Sequence, residues 1–211
     1  MRHYSLLDRI ITRIDTGFNT VFSIQSASRP NPANDQPYQE LSPKELRCSQ
    51  GFMRVNHSGE VCAQALYRGQ LVFAQNEFVH KMLIDAAIEE TDHLAWTHQR
   101  LQELKTHRSY LNIFWYINSF CIGLLASKLG DQWSLGFIEE TERQVSAHLT
   151  GHLDRLGPAD LRSRNIVLQM RDDEEHHWAS AKQAGAIDLP VIVKTLMRLH
   201  AKVLTTVAYY V

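Results

Sequence analysis

Residues 90–93 are ETDH and residues 174–177 are EEHH, so the sequence contains the pattern Glu-x-x-His twice. On an α-helix, residues three positions apart lie on the same face about one turn apart, so the carboxylate and the imidazole can reach a single ion. One match is weak evidence, because Glu and His often meet at this spacing by chance. The residues around the two matches provide the stronger evidence.

A lone glutamate precedes each pattern by nearly the same distance. Glu60 lies 30 residues before Glu90, and Glu142 lies 32 residues before Glu174. The midpoint of each pair falls on a turn signal, and residues equidistant from the turn of an antiparallel helix pair lie side by side. Each half of the chain is therefore predicted to bring a lone glutamate opposite a Glu/His pair.

The duplicated half-sites predict one metal site with four carboxylates and two imidazoles. Spacing supplies Glu60, Glu90, His93, Glu174, His177 and one glutamate of the third long helix. For that last position Glu139 and Glu140 compete with Glu142, and spacing alone separates them poorly. Four carboxylates balance two divalent ions, and mostly oxygen ligands with two imidazoles suit iron or manganese better than zinc.

A third Glu-x-x-His match, formed by Glu77 and His80, is interpreted differently. It lies beside the predicted turn, with no glutamate equidistant across that turn. The 13 residues from Glu77 to Glu90 correspond to a rotation of about 220°, which directs the two glutamates to different faces. We interpret Glu77 and His80 as part of a solvated helix end.

Two other side chains are candidates for contacts with the ligands. Tyr67 follows Glu60 by seven residues, or two turns, on the same face, where core packing is the more common role. His148 follows Glu142 by six residues. It is either a partner that orients a ligand or a core histidine with a satisfied hydrogen bond.

The chain around these motifs is predicted to be all-α. Residues 28–43 contain four prolines among polar residues, a composition with too little apolar surface to order itself. We therefore predict an N-terminal amphipathic arm and Pro-rich linker at 1–41 and a helical domain at 42–211. A capping box at 42–45 (SPKE) starts the first long helix. Turn signals then delimit about six helices, four of them long: Gln75-Asn76, His107 to Ser109, Gly130-Asp131, Gly157-Pro158 and Gly185 to Pro190.

Composition argues against several classes of function. The 22 Lys and Arg residues nearly balance the 23 Asp and Glu residues, and the net charge of −1 predicts no nucleic-acid partner. The three cysteines have no C-x-x-C spacing, which predicts neither a disulfide framework nor a zinc knuckle and favours a reducing compartment. Charged residues interrupt the first 22 positions, so no export signal is expected.

Residues 57–70, HSGEVCAQALYRGQ, resemble the first-helix motif of the COQ7 family of demethoxyubiquinone hydroxylases, which belongs to the ferritin-like di-iron carboxylate superfamily. The resemblance continues through 90–93, 142–148 and 173–177, and extends from about Arg54 to the C-terminus. It implies a ferritin-like four-helix bundle with crossover and C-terminal amphipathic helices. It selects Glu142 over its neighbours and implies two iron ions per chain, bound by Glu60, Glu90, His93, Glu142, Glu174 and His177.

The resemblance also implies a reaction. Family members hydroxylate the ring of a 2-polyprenyl-3-methyl-6-methoxy-1,4-benzoquinol in ubiquinone biosynthesis, with dioxygen as co-substrate. No G-x-G-x-x-G or flavin-binding segment identifies an electron donor. A lipid-binding or biosynthetic-complex partner is compatible with such a substrate. Iron oxidation or storage and tRNA hydroxylation are the alternatives, the latter disfavoured by the near-zero net charge.

Two apolar stretches predict contact with a membrane surface. Residues 110–127 carry no charge and are long enough for a marginal transmembrane helix, but a single crossing would separate the two halves of the metal site. We predict a crossover helix lying partly in the membrane interface, with a buried core helix as the alternative. Lys194, Arg198 and Lys202 form a basic stripe suited to anionic headgroups. We expect a peripheral membrane protein, at the cytoplasmic face of the cell membrane if bacterial.

Overall fold

The computed structural model describes residues 15–211, and all regular secondary structure in that range is helical. The helices are α1 at 15–22, α2 (Pro43–Gln70), α3 (Glu77–Glu103), α4 (Asn112–Lys128), α5 (Asp131–Arg155), α6 (Leu161–Gln183) and α7 (Val191–Tyr210). The predicted all-α, ferritin-like fold class is confirmed, as are the six helices after residue 42. Part of the predicted amphipathic arm, residues 1–14, lies outside the described residues, and the division of the chain at 41/42 stays a prediction.

Local capping explains where the first hairpin begins and turns. The Ser42 hydroxyl accepts a hydrogen bond from the Glu45 backbone N–H, and the Glu45 carboxylate accepts one from the Ser42 N–H, so the predicted capping box is present. The Asn76 side chain caps α3. Asp131, at the start of α5, accepts from the Asn76 N–H at 2.9 Å and ties the α2–α3 turn to the second hairpin.

Two helical hairpins, α2–α3 and α5–α6, form the bundle, and α4 crosses between them along α2. The contact between α2 and α4 is close because Gly69 and Gly123 face each other. A Cβ added to Gly69 meets the backbone of Phe120, and one added to Gly123 meets the backbone of Leu66. The absence of side chains at these two positions therefore lets the crossover helix lie directly on α2.

The core has two apolar layers with a polar layer between them. One apolar layer includes Phe52, Trp96, Leu149 and Met170, and the other includes Tyr67, Leu83, Ile138 and Ala181. Each of the four long helices contributes to both layers. On each of these helices, the predicted ligands lie in sequence between the residue that packs in one apolar layer and the residue that packs in the other. The bundle therefore places the ligands in the polar layer.

The Pro-rich segment is ordered against α3, which corrects the expectation drawn from its composition. The Ser28 backbone N–H donates to Asp92 Oδ1 at 2.6 Å, and Asn31 Nδ2 donates to Gln99 Oε1 at 2.9 Å. Ala33 is fully buried in the first apolar layer. The expectation was wrong because polar side chains of α3 bind the segment and the core buries Ala33, so the segment does not have to order itself alone.

Candidate metal centre

All six predicted ligands meet in the polar layer. Glu60 comes from α2 and Glu142 from α5, whereas α3 supplies Glu90 with His93 and α6 supplies Glu174 with His177. Each of the six residues is between 0% and 7% exposed. Buried ionisable groups at this density need partners of opposite charge, and a metal ion is one such partner.

His93 faces three carboxylates through one ring nitrogen. Its Nδ1 atom lies 3.0 Å from Glu90 Oε2 and 3.5 Å from both Glu60 Oε2 and Glu174 Oε1. Ligand atoms of these four residues all lie within 4.8 Å of one another. That separation suits a single cation placed among them, with oxygen and nitrogen donors.

His177 has a corresponding environment on the other side of the cluster. Its Nδ1 atom lies 3.3 Å from Glu174 Oε2 and 3.5 Å from Glu90 Oε1. Glu90 and Glu174 thus stand between the two imidazoles, and each directs one oxygen toward His93 and the other toward His177. Two carboxylates between two imidazoles have the arrangement required to bridge a pair of ions. The donor set therefore fits two metal ions.

The Nε2 atoms of the two imidazoles are held by two carboxylates that the Glu-x-x-His pattern does not include. His93 Nε2 lies 2.9 Å from Asp173 Oδ2, and His177 Nε2 lies 3.1 Å from Glu89 Oε2. In each case the partner belongs to the other hairpin. A hydrogen bond at Nε2 fixes the ring orientation and leaves Nδ1 available to a metal. The available signal was an acidic residue directly before the glutamate of each Glu-x-x-His pattern.

Of the two predicted ligand partners, the structure brings Tyr67 to the cluster and not His148. The buried Tyr67 hydroxyl donates to Glu142 Oε1. The His148 ring packs on His152, with ring centroids 4.1 Å apart, and within residues 15–211 its Nε2 atom has no hydrogen-bond partner. Six residues correspond to a rotation of about 240°, so His148 faces away from Glu142.

The competing glutamates are placed differently from Glu142, and Glu139 is only partly buried. Glu140 is buried, but its carboxylate accepts from Arg143 Nη2 and from Gln144 Nε2, each at 2.5 Å. Glu142 therefore occupies the position that spacing had left open on α5. Glu77 and His80 are both exposed, in agreement with their interpretation as a solvated helix end.

The electrostatics of the cluster favour a bound cation. Burial, followed by the neighbouring Glu90, raises the pKa of the Glu60 carboxyl well above its usual range. Burial and the charges of Glu174 and Glu90 do the same to the pKa of Glu142. Burial alone would lower the imidazole pKa values, but nearby carboxylates raise them for His93 and His177. Without metal, protons must supply the charge that cations supply otherwise.

An all-helical bundle with a buried carboxylate and imidazole site defines a class, the ferritin-like proteins with a site able to hold metal ions. The chain belongs to the COQ7 family within that class: the family model described as "Ubiquinone biosynthesis protein COQ7" matches residues 47–208. It is 53% identical to a 3-demethoxyubiquinol 3-hydroxylase of Coxiella burnetii (strain Dugway 5J108-111), over 100% of this chain and 98% of the relative. It is also 50% identical to a protein of the same name from Ralstonia pickettii (strain 12J), over 97% and 99% of the two chains.

We predict that the metal-free protein loses stability as the pH rises above about 6.5, where unfolded Glu and His side chains with ordinary pKa values have released their protons. Glu60 and Glu142, with raised pKa values, keep protons in the folded state that the unfolded chain has already released above about pH 4.3. The raised imidazole pKa values act in the same direction. Their contribution is fully present below about pH 6.5 and is lost as the pH rises through the folded pKa.

Thermal unfolding of chelator-treated protein at increasing pH, from about 6.5 upward, measures the effect. The Glu60→Gln variant should show a shallower decrease in Tm, since it removes one of the groups with a raised pKa. Glu77→Gln is the matched control, because Glu77 is exposed, and it should follow the wild-type curve. A Tm that is constant or increases with pH would contradict the electrostatic description of the cluster.

Proposed function

We propose that the protein is a di-iron monooxygenase that hydroxylates the ring of a 2-polyprenyl-3-methyl-6-methoxy-1,4-benzoquinol in ubiquinone biosynthesis. The observation that carries the proposal is the placement of Glu90 and Glu174 between the Nδ1 atoms of His93 and His177. The full-length similarity to proteins named 3-demethoxyubiquinol 3-hydroxylase supports the substrate class.

In this proposal the ligands divide between two ions. Glu60 and His93 would hold one ion, Glu142 and His177 the other, and Glu90 with Glu174 would contact both. Iron, when bound, supplies the activation of dioxygen. The protein holds the imidazole rings through their Nε2 atoms, orients Glu142 through the Tyr67 hydroxyl, and keeps bulk water out with an apolar layer on either side.

A membrane surface is part of the proposal because the substrate has a polyprenyl tail. Among residues 15–211, none of the helices has the length and apolarity needed to cross a bilayer. On α7 the buried residues are Leu204 and Ala208, whereas Ile192, Leu196 and Leu199 are 56–70% exposed. On α4, one face lies on α2 and the other exposes further apolar side chains, among them Phe114, Ile117 and Leu125.

The basic stripe of α7 is partly used within the protein. Lys194 forms an ion pair with Asp188 and lies 3.8 Å from Glu140 Oε2. Arg198 and Lys202 are exposed beside the apolar side chains of the same helix. We propose that these two cations contact anionic headgroups while the apolar face enters the interface. In a bacterium the corresponding location is the cytoplasmic face of the cell membrane.

We predict about two iron atoms per chain, as in dinuclear carboxylate sites. Glu90→Ala or Glu174→Ala removes a carboxylate that faces both imidazoles, so either change should abolish binding of at least one ion. Metal analysis of protein loaded with Fe(II) without oxygen gives the stoichiometry. Glu77→Ala and His80→Ala, which keep the cluster intact, should load as wild type. Full iron content in the Glu90 and Glu174 variants would reject the ligand assignment.

We predict that deletion of the gene causes a demethoxy quinone to accumulate and ubiquinone to disappear, as read by mass spectrometry of lipid extracts. Wild-type protein should restore ubiquinone, and Glu60→Ala should not, because one of the four carboxylates is lost. Glu60→Gln preserves size and polarity without the charge, so failure of both variants at normal protein levels indicates metal binding and not packing. A normal ubiquinone profile in a deletion strain without a redundant hydroxylase would reject the substrate and leave iron oxidation as the next hypothesis.

Flotation with lipid vesicles tests the membrane surface. The protein should float with vesicles that contain anionic lipid and be released in part by high salt, because screening weakens the headgroup contacts. The double variant Leu196→Glu with Leu199→Glu should bind at least about tenfold more weakly, since each change removes apolar burial in the interface. Ile88→Glu is the matched control, because Ile88 is 53% exposed on α3. An equal loss in this control would contradict the proposed surface.

A further inference from the structure

Arg29 of the Pro-rich segment connects the two helical hairpins beside the metal cluster. Its Nε atom donates to Asp92 Oδ2 on α3 at 2.7 Å, and its Nη2 atom forms an ion pair with Asp173 Oδ2 on α6 at 2.9 Å. Asp92 directly precedes His93, and Asp173 directly precedes Glu174. One guanidinium therefore joins α3 and α6 at the level of the predicted ligands.

Asp173 connects Arg29 to the predicted ligand His93. Asp173 Oδ2, the atom that pairs with Arg29, also lies 2.9 Å from His93 Nε2. The side chain of Asp173 is 12% exposed and that of Asp92 is 2% exposed, so these two carboxylates have limited access to water. Arg29 is the cation between them, and without it two like charges would face each other at the edge of the cluster.

Arg29 is itself held in a defined place. Its guanidinium carbon lies 4.9 Å from the centroid of the Trp96 ring, and its backbone carbonyl accepts a hydrogen bond from Trp96 Nε1 at 3.4 Å. The preceding residue, Ser28, anchors the segment to Asp92 through its backbone N–H and its hydroxyl. A planar guanidinium fixed at several points can orient a carboxylate, which a mobile surface arginine does not do.

We propose that Arg29 is a positioning residue of the metal centre: it fixes Asp173, and through Asp173 it fixes the ring of His93 with Nδ1 directed at the ion. This rests on the proposed function in that the cluster must bind metal. Arg29 lies outside residues 47–208, the range that the family model matches. In this proposal the segment before α2 contributes to the centre in addition to the four bundle helices. Partners of metal-ligating histidines influence affinity as well as activity.

A double-mutant cycle on Fe(II) affinity tests the proposal, with oxygen excluded and a chromogenic chelator as competitor. Asp173→Asn should weaken Fe(II) binding by roughly ten- to a hundredfold. Arg29→Met should weaken it by about tenfold, because Arg29 acts on His93 only through Asp173. The combined variant should bind no more weakly than Asp173→Asn alone, since two residues in one chain of contacts are not additive. If Arg29→Met does not fold, Arg29→Lys, which cannot contact both aspartates with a planar fork, replaces it in the cycle.

Arg162→Met is the matched control for a merely structural effect. Arg162 holds the same Pro-rich segment, by donating to the Gln36 carbonyl at 3.2 Å, but its ion pair is with Glu103 and not with Asp173. It should lower the Tm of the metal-free protein and leave Fe(II) affinity within about twofold of wild type. Losses that multiply in the double variant, or an equal loss of affinity in Arg162→Met, would overturn the role of Arg29. Absence of Fe(II) binding by the wild-type protein would instead overturn the proposed function.

Discussion

The constraint on which the structure depends is the burial of four carboxylates and two imidazoles within one layer of a helical bundle. Each charged group loses its hydration there, and the cost of that loss is several kcal/mol per ion unless a partner compensates. His93 compensates Glu60, Glu90 and Glu174 in part, through contacts of 3.0 to 3.5 Å from its Nδ1 atom. Two divalent ions would complete the neutralisation, which is why the cluster is better explained as a metal centre than as a structural network.

The apolar layers strengthen the charge interactions of the cluster, and the carboxylates at the Nε2 atoms keep its imidazoles oriented. Phe52 and Met170 on one side, and Leu83 and Ile138 on the other, exclude water and make every charge interaction in the cluster stronger. That strength is useful only if the ligands keep their orientation. The outer carboxylates provide it across the hairpins, because each imidazole is held by a residue from the opposite helix pair.

The surface of the bundle is organised by the way α4 and α7 pack. Gly69 and Gly123 allow α4 to bury one face directly on α2, and the other face then has no helix of residues 15–211 to cover its apolar side chains. α7 contacts the bundle mainly near Leu204 and Ala208, which leaves its first half exposed. A buried polar layer, together with apolar side chains exposed on the outer helices, departs from the usual arrangement in a water-soluble bundle. Both features agree with the proposed hydroxylation of a lipid substrate at a metal centre.

Local sequence rules were sufficient to predict the helices, their turns and five of the six proposed ligands, because the spacing of Glu60, Glu90 and Glu174 follows helical periodicity and hairpin symmetry. They did not distinguish Glu142 from Glu139 and Glu140 without the family resemblance. The contacts of Asp173 and Glu89 with the histidines, and of Arg29 with Asp173, become visible only in the folded chain, since they join residues of different structural elements that no periodicity relates. The same reason explains the error over the Pro-rich segment. Its own composition is polar, and its order comes from contacts with Asp92 and Gln99, which lie more than 60 residues away in the chain, and from the burial of Ala33 in the core.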